Sequence, residues 1–313
     1  MKHIFQLIRW QNLFFTAVIM LLMEYMVAAP LLRQWVLLPG WLFCLLLFAV
    51  VAIAAGGYAI NDYFDVRIDA VNRPGRMLVT RTLTKQTAML CHQVLTGLGA
   101  VAGIAAAIVL RSWSLGLIFV FVPGLLWFYS ASYKRQFVVG NLIVAFVAAL
   151  VPLVVAIANA AYLNLRFADL LGYTTVVRDL YLWIGGFALF AFLTTLIREI
   201  LKDMQDQEGD RELECHTLPI RLGDKWTKLV VVSLILLTCA LLCWLVFGVM
   251  PFPHTWSSYS VRYLIFGLLI PFACELYLVL TARISSDYRF AQGLMKFIMG
   301  VGVLFSVIVF IYL

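Results

Sequence analysis

The chain has 313 residues, of which 64% are hydrophobic and only 12% charged. A soluble domain averages nearer half apolar and a quarter charged, so that class is excluded and an integral membrane protein is expected. The net charge of +7 does not by itself require a nucleic-acid partner; the placement of the lysines and arginines decides that.

Nine apolar runs of about 20 residues, the length that crosses a bilayer, are predicted at 11–32, 41–60, 86–110, 114–131, 137–161, 181–201, 228–249, 262–281 and 292–313. The first has features of a secretory signal, with Lys2 and Arg9 before it and Val27-Ala28-Ala29 after it. Pro30 would directly follow the cut and the apolar stretch extends past Glu24, so a retained helix is the expectation. The break between the third and fourth spans rests on Arg111-Ser-Trp-Ser114 alone. Residues 162–180, with Arg166, Asp169, Arg178 and Asp179, are expected to form the longest loop on their side, lying along the interface. Cys44, Cys91, Cys215, Cys239, Cys243 and Cys274 are scattered, which indicates neither a disulfide framework nor a zinc site. No soluble domain is visible, so residues 1–313 are expected to form one membrane domain.

With these spans, eighteen of the 23 lysines and arginines fall on one side of the membrane. The other side holds only Arg33, Arg111, Arg166, Arg178 and Arg262. Basic residues accumulate on cytoplasmic loops, so the N-terminus is expected in the cytoplasm and, after an odd number of spans, the C-terminus outside. The cell (inner) membrane is the expected location. This bias accounts for the basic excess without nucleic acid, and no obligate protein partner is evident.

Charge inside such a chain is scarce, which makes Asn61-Asp-Tyr-Phe-Asp-Val-Arg-Ile-Asp69 conspicuous. Asp62, Asp65 and Asp69 are spaced by three and seven, which on a helix returns side chains to one face. A solvated helix end would intersperse lysines among them; this one carries only Arg67. Asp203, Asp206 and Asp210 repeat the spacing, in a chain with sixteen acidic residues. Carboxylate oxygens in this number suit Mg²⁺. The motifs close the second and sixth predicted spans, so helices 2 to 5 and 6 to 9 are candidate parallel halves. Two motifs at equivalent helix ends can face each other across one cavity on the cytoplasmic side.

Paired carboxylate clusters holding Mg²⁺ suit a diphosphate, whose oxygens the ions bridge while neutralising the departing charge. Candidate basic partners are Arg73 and Arg76, Lys134 and Arg135, and Arg198 and Lys202. Positive-inside bias explains the loop arginines equally well. Arg198 and Lys202, one turn apart at the end of an apolar helix, need partners if buried. Tyr129 and Tyr133 lie one helical turn apart before Lys134, as substrate contacts or as ordinary interfacial tyrosines. Asn12, with Arg9 just before it, can donate to a substrate oxygen or join helices. Glu24 and Glu275 sit inside predicted spans without an obvious partner. A cavity among apolar helices would accept a hydrocarbon tail while the metals hold its charged head, and a dry aromatic pocket would protect an allylic cation from water.

At the two motifs the chain resembles the UbiA superfamily of intramembrane prenyltransferases. Asn61-Asp62-x-x-Asp65-x-x-x-Asp69 is similar to that family's first aspartate-rich motif. Arg198-Glu199-x-x-Lys202-Asp203-x-x-Asp206-x-Glu208-Gly209-Asp210 is similar to its second, and Thr217-Leu-Pro-Ile-Arg-Leu-Gly223 to the segment that follows. The resemblance implies an all-α bundle of nine helices around a central cavity capped on the cytoplasmic side. It implies Mg²⁺-dependent transfer of a prenyl group from its diphosphate to a lipophilic acceptor, with the six motif aspartates carrying the metals and Asn61 assisting. The family's Tyr-x-x-x-Lys spacing after helix 4 is one residue longer here if counted from Tyr129 to Lys134. The second motif looks most like the branch that alkylates the free hydroxyl of geranylgeranylglyceryl phosphate; aromatic-acceptor members carry a similar string. The Asp-Gly and Ala-Arg signature of CDP-alcohol phosphotransferases does not occur. An ion-coupled transporter would place its acidic residues near the membrane midplane, where only Glu24 and Glu275 are available.

Overall fold

In the computed structural model, residues 2–66, 68, 70, 78–212, 214–249 and 258–313 are described. Among them the chain is all-α, with one isolated bridge between Val79 and Leu83. Among the described residues, nine helices are long and apolar enough to cross a membrane: α1 Trp10–Leu31, α2 Gly40–Phe64, α3 Lys85–Val109, α4 Trp113–Ala131, α5 Val139–Leu171, α6 Val176–Gln205, α7 Asp224–Val249, α8 Tyr259–Thr281 and α9 Ser285–Tyr312. The protein is a multi-pass membrane protein. Its chain forms two compact units, one of Met1–Lys134 with Leu150–Ile184, the other of Arg135–Ala149 with Gly185–Leu313.

In the first unit, α2 and α3 run antiparallel in close contact, made possible by small residues. A Cβ on Gly99 would meet Ile53 Cγ1 at 2.8 Å and the Ala49 carbonyl oxygen at 2.9 Å, and one on Gly56 would collide with the Thr96 hydroxyl. Between apolar helices in lipid, such close backbone approach supplies the packing attraction that water would otherwise drive. The boundary predicted at Arg111–Ser114 is present: α3 ends at Val109, Arg111 takes a left-handed backbone (φ 49°), and Ser112 caps α4 by accepting from the Leu115 N–H at 3.4 Å. Thr84 caps α3 in the same way, accepting from the Thr87 N–H at 3.1 Å.

Helix α1 contains a π-helical stretch, Met23–Ala28, which carries Glu24. The partner that the sequence did not reveal is Asn159 on α5, whose Nδ2 donates to Glu24 Oε2 at 2.7 Å. Asn159 also accepts from the Leu38 N–H at 3.1 Å and is fully buried, so one amide ties α1, the α1–α2 connection and α5 together.

In the second unit, α6, α8 and α9 meet at Phe190, Phe272 and Gly302. The two rings pack edge to face at 6.5 Å, and the absent side chain of Gly302 leaves room for Phe190. Lys228 on α7 donates to the Ala282 carbonyl at 2.5 Å and lies over the Tyr288 ring. Glu275 is completely buried on α8, and neither carboxylate oxygen has a hydrogen-bond partner among the described residues.

Residues 162–180 are not the interfacial loop expected from their charges. Helix α5 continues to Leu171 and α6 begins at Val176, leaving four residues between them. Arg166 and Asp169 end the apolar run, but the first helix-breaking residue is Gly172. Its 33 residues give α5 a length of about 50 Å at about 1.5 Å each, beyond the roughly 30 Å of bilayer hydrocarbon. The chain departs from helical geometry within it at Phe167 (φ −138°, ψ 29°).

Candidate active site

The first motif closes α2. Asp62 is in its last turn, and Asp65 follows its end, with the Asp65 N–H bonded to the Asn61 carbonyl at 2.9 Å. Each aspartate is held by its own cation. Arg9 Nη2 donates to Asp62 Oδ1 at 2.8 Å, and Lys134 Nζ pairs with Asp65 Oδ1, while Asn61 Nδ2 donates to Asp65 Oδ2 at 2.6 Å. Both carboxylate side chains are only 14% exposed, so these partners compensate charge that water reaches poorly.

Arg9 reaches Asp62 because the segment before α1 is pinned. Leu7, fully buried, packs with Ala59, Val79 and Ala88 at the same end of α2. Arg9 itself turns through a left-handed backbone (φ 52°, ψ 55°), and its guanidinium lies 5.1 Å from the Tyr58 ring centre. Partial desolvation works against the charge of Arg9, but the neighbouring Asp62 carboxylate and Tyr58 more than offset this and hold its pKa above the ordinary arginine value.

Asp69, Arg73 and Arg76 lie outside the described residues. Tyr129 and Tyr133 do not share a helix as expected. Tyr129 is on α4, which ends at Ala131, whereas Tyr133 and Lys134 sit in a separate 3₁₀ turn, Tyr133–Arg135. The Tyr133 ring instead rests against Phe128, with centres 6.2 Å apart. Asn12 is exposed near the start of α1, where its backbone carbonyl accepts from the Thr16 hydroxyl.

The second motif, in the other unit, does not occupy one helical face. Asp203 belongs to α6, the helix breaks at Asp206, and Asp210 is on a separate short helix, Gln207–Glu212. The breaks keep the motif compact through backbone bonds: Asp206 N–H to the Lys202 carbonyl at 3.0 Å, and Asp210 N–H to the Asp206 carbonyl at 3.2 Å. Asp210 is buried, and the N–H of Cys215 closes onto its backbone carbonyl.

Two residues here escaped the sequence reading. Asn141 on α5 donates from Nδ2 to Asp203 Oδ2 at 2.8 Å and is itself buried. Glu199 supplies the partner that Arg198 and Lys202 needed: its buried carboxylate pairs with Arg198 on one oxygen and lies 3.7 Å from Lys202 Nζ on the other. Arg198 Nε remains buried without a hydrogen bond among the described residues, which leaves the guanidinium a donor to spare. A polar residue inside an apolar run was the available signal for Asn141, and Glu199 stood inside the motif between two named cations.

Among the described residues, no three His, Cys, Asp or Glu side chains gather closely enough to hold a metal by themselves, and Asp69 is not among them. The donor chemistry is nevertheless that of a hard cation. Asp62, Asp65, Asp203, Asp206 and Asp210 offer carboxylate oxygens, and no thiolate or imidazole is part of either motif.

Residues 12–300 match the family model described as the UbiA prenyltransferase family. The chain is 30% identical over 298 residues to the digeranylgeranylglyceryl phosphate synthase of Sulfolobus acidocaldarius, covering 94% of this chain and 93% of that one. It is 30% identical over 225 residues to the enzyme of the same name from Methanobrevibacter smithii, covering 71% and 70%. Among solved structures, one described as digeranylgeranylglyceryl phosphate synthase in membranes has a TM-score of 0.67 at 22% identity, covering 100% of this chain and 99% of that one. A UbiA homolog from Archaeoglobus fulgidus bound to GPP and Mg²⁺ has a TM-score of 0.55 at 13% identity, covering 97% and 99%. These two likenesses show the fold.

Proposed function

The chain belongs to the UbiA prenyltransferase family, and from that premise we propose that it transfers a geranylgeranyl group from its diphosphate to the free hydroxyl of geranylgeranylglyceryl phosphate. The observation that carries the acceptor is the 30% identity, over 94% of the chain, to a relative named for that product. In the reaction, the bond between prenyl C1 and the diphosphate oxygen breaks, the electron pair leaves with the diphosphate, and the acceptor oxygen bonds to C1 as its hydroxyl proton is lost.

Asp62, Asp65, Asp69, Asp203, Asp206 and Asp210 would hold Mg²⁺, directly or through water, as the ion in the A. fulgidus relative accompanies GPP. Bound Mg²⁺ would supply positive charge to the departing diphosphate. Lys134 sits on Asp65 and would exchange part of that pairing for diphosphate oxygens. Arg198 has an unused donor for the same anion, and Lys202, steadied by Glu199, adds a second charge. Asn141 orients Asp203, and Asn61 orients Asp65. Arg73, Tyr129, Tyr133 and Asn12 are further candidate contacts to diphosphate or acceptor. The active site would face the cytoplasm of a cell (inner) membrane, with the N-terminus on that side.

The test is competition between acceptors for labelled geranylgeranyl diphosphate, using purified protein and Mg²⁺. Geranylgeranylglyceryl phosphate is offered against 4-hydroxybenzoate, homogentisate and dihydroxynaphthoate. Labelled ether lipid is the expected product; label only on an aromatic ring would overturn the acceptor and leave prenyl transfer standing.

A further inference from the structure

The first unit carries an open groove of about 830 Å³ at the end remote from Asp62. It lies where α3 turns into α4 and where the last turns of α5 approach the start of α6. Helix α3 returns from the motif end over 25 residues, about 37 Å at about 1.5 Å per residue, so this groove is separate from the aspartate site. Its lining includes polar Arg111, Ser114, Asn164 and Tyr181, with Ile157 and Leu165 supplying apolar surface. No acidic residue lines it.

Arg111 differs from every other basic residue on its side of the membrane. Of the five, Arg178 pairs with Asp179 at 3.0 Å, Arg166 lies over the Tyr162 ring at 5.5 Å, and Arg33 and Arg262 have partners of their own. Arg111 has no carboxylate or ring partner among the described residues. It is also held in a left-handed backbone (φ 49°) at the mouth of the groove. Basic residues are disfavoured on this side by the positive-inside bias, and Arg111 is exposed, so its guanidinium is accessible to an anion. Trp113 and Tyr173 flank this end of the unit at 89% and 90% exposure, the placement of aromatic residues at headgroup depth.

We infer that this groove binds the headgroup of an anionic phospholipid. Its phosphate pairs with Arg111, the Ser114 and Tyr181 hydroxyls and the Asn164 amide take the remaining headgroup oxygens, and one acyl chain lies along Ile157 and Leu165. A guanidinium binds phosphate through two parallel donors, a geometry that a lysine would not reproduce. The inference requires the membrane fold but not the proposed acceptor.

Native mass spectrometry of the full chain in detergent tests it, with phosphatidylglycerol and phosphatidylcholine titrated separately. One phosphatidylglycerol should be retained preferentially, and Arg111→Gln should weaken that adduct about tenfold, as expected for loss of a charge-assisted hydrogen bond. Prenyl transfer at the unaltered rate shows that the variant is folded. If it is not, Asn164→Leu, which leaves the α4 cap intact, should weaken the adduct in the same direction. Equal retention by the unaltered chain and the folded variant would overturn the inference, as would equal binding of the two lipids. Inorganic phosphate forms the third arm: displacement of phosphatidylglycerol at phosphate concentrations comparable to the lipid would assign the site to the free anion instead.

Discussion

At the scale of single residues, three of the motif carboxylates each have their own donor: Asp62 has Arg9, Asp65 has Lys134 and Asn61, and Asp203 has Asn141. Removing a donor should therefore have a different signature from removing a carboxylate. Asp62→Ala or Asp203→Ala is expected to abolish turnover while the protein stays folded in detergent; near-normal activity in either would reject the two-motif site. Lys134→Ala should raise the KM for prenyl diphosphate about 10–150-fold, equivalent to the roughly 1.5–3 kcal/mol carried by a hydrogen bond to a charged group. The acceptor KM should stay unchanged, and steady-state kinetics with each substrate varied in turn separates the two. Asn141→Leu should reduce activity about 10–100-fold, the usual cost of losing a residue that orients a metal ligand. A Mg²⁺ titration checks this, since the half-saturating concentration should rise. The aspartates were conspicuous in the sequence because charge is rare in this chain and theirs repeats. Asn141 was not, because its contact joins residues 62 positions apart; Glu199 stands beside Arg198 and three residues before Lys202, and its pairing with them was readable from the motif.

At the scale of elements, the buried Asn159 amide is where α1 and α5 are tied together. Asn159→Ala would leave Glu24 buried without its donor, at a cost of about 1–3 kcal/mol. Its thermal midpoint in mild detergent should fall, and adding Glu24→Leu should recover part of the loss because the orphaned acid is then gone. A double variant no better than the single would show that Asn159 acts through Leu38 and not through Glu24. The nine spans could be read because each is a run of about 20 mostly apolar residues with few charges. The far ends of α5 and the near end of α6 could not. Arg166, Asp169, Arg178 and Asp179 change the hydropathy without containing anything that stops a helix, so solubility and helicity part company there. The second motif errs in the opposite direction: a spacing of three and seven suggested one face, but the helix breaks at Asp206.

At the scale of the whole molecule, two expectations remain open to direct measurement. EDTA should stop turnover and Mg²⁺ should restore it, since both motifs offer oxygen donors alone; undiminished turnover in metal-free buffer would contradict a metal-dependent site. The asymmetry of eighteen basic residues against five predicts that Tyr173 lies outside the cell. In a background lacking the six native cysteines, Tyr173→Cys should react with a membrane-impermeant thiol reagent applied to intact cells. Protection until the cells are opened would invert the topology.

The length of α5 and α6 has a practical consequence. Because α5 outruns the hydrocarbon thickness and only residues 172–175 separate it from α6, the chain offers two adjacent helical ends joined by a minimal turn. A small soluble helical protein inserted there, in register with both ends, would be gripped at two points. Such a graft would serve as a fiducial mass for aligning particles in electron microscopy. Phe167 marks the joint whose bending would limit how rigidly the graft rides.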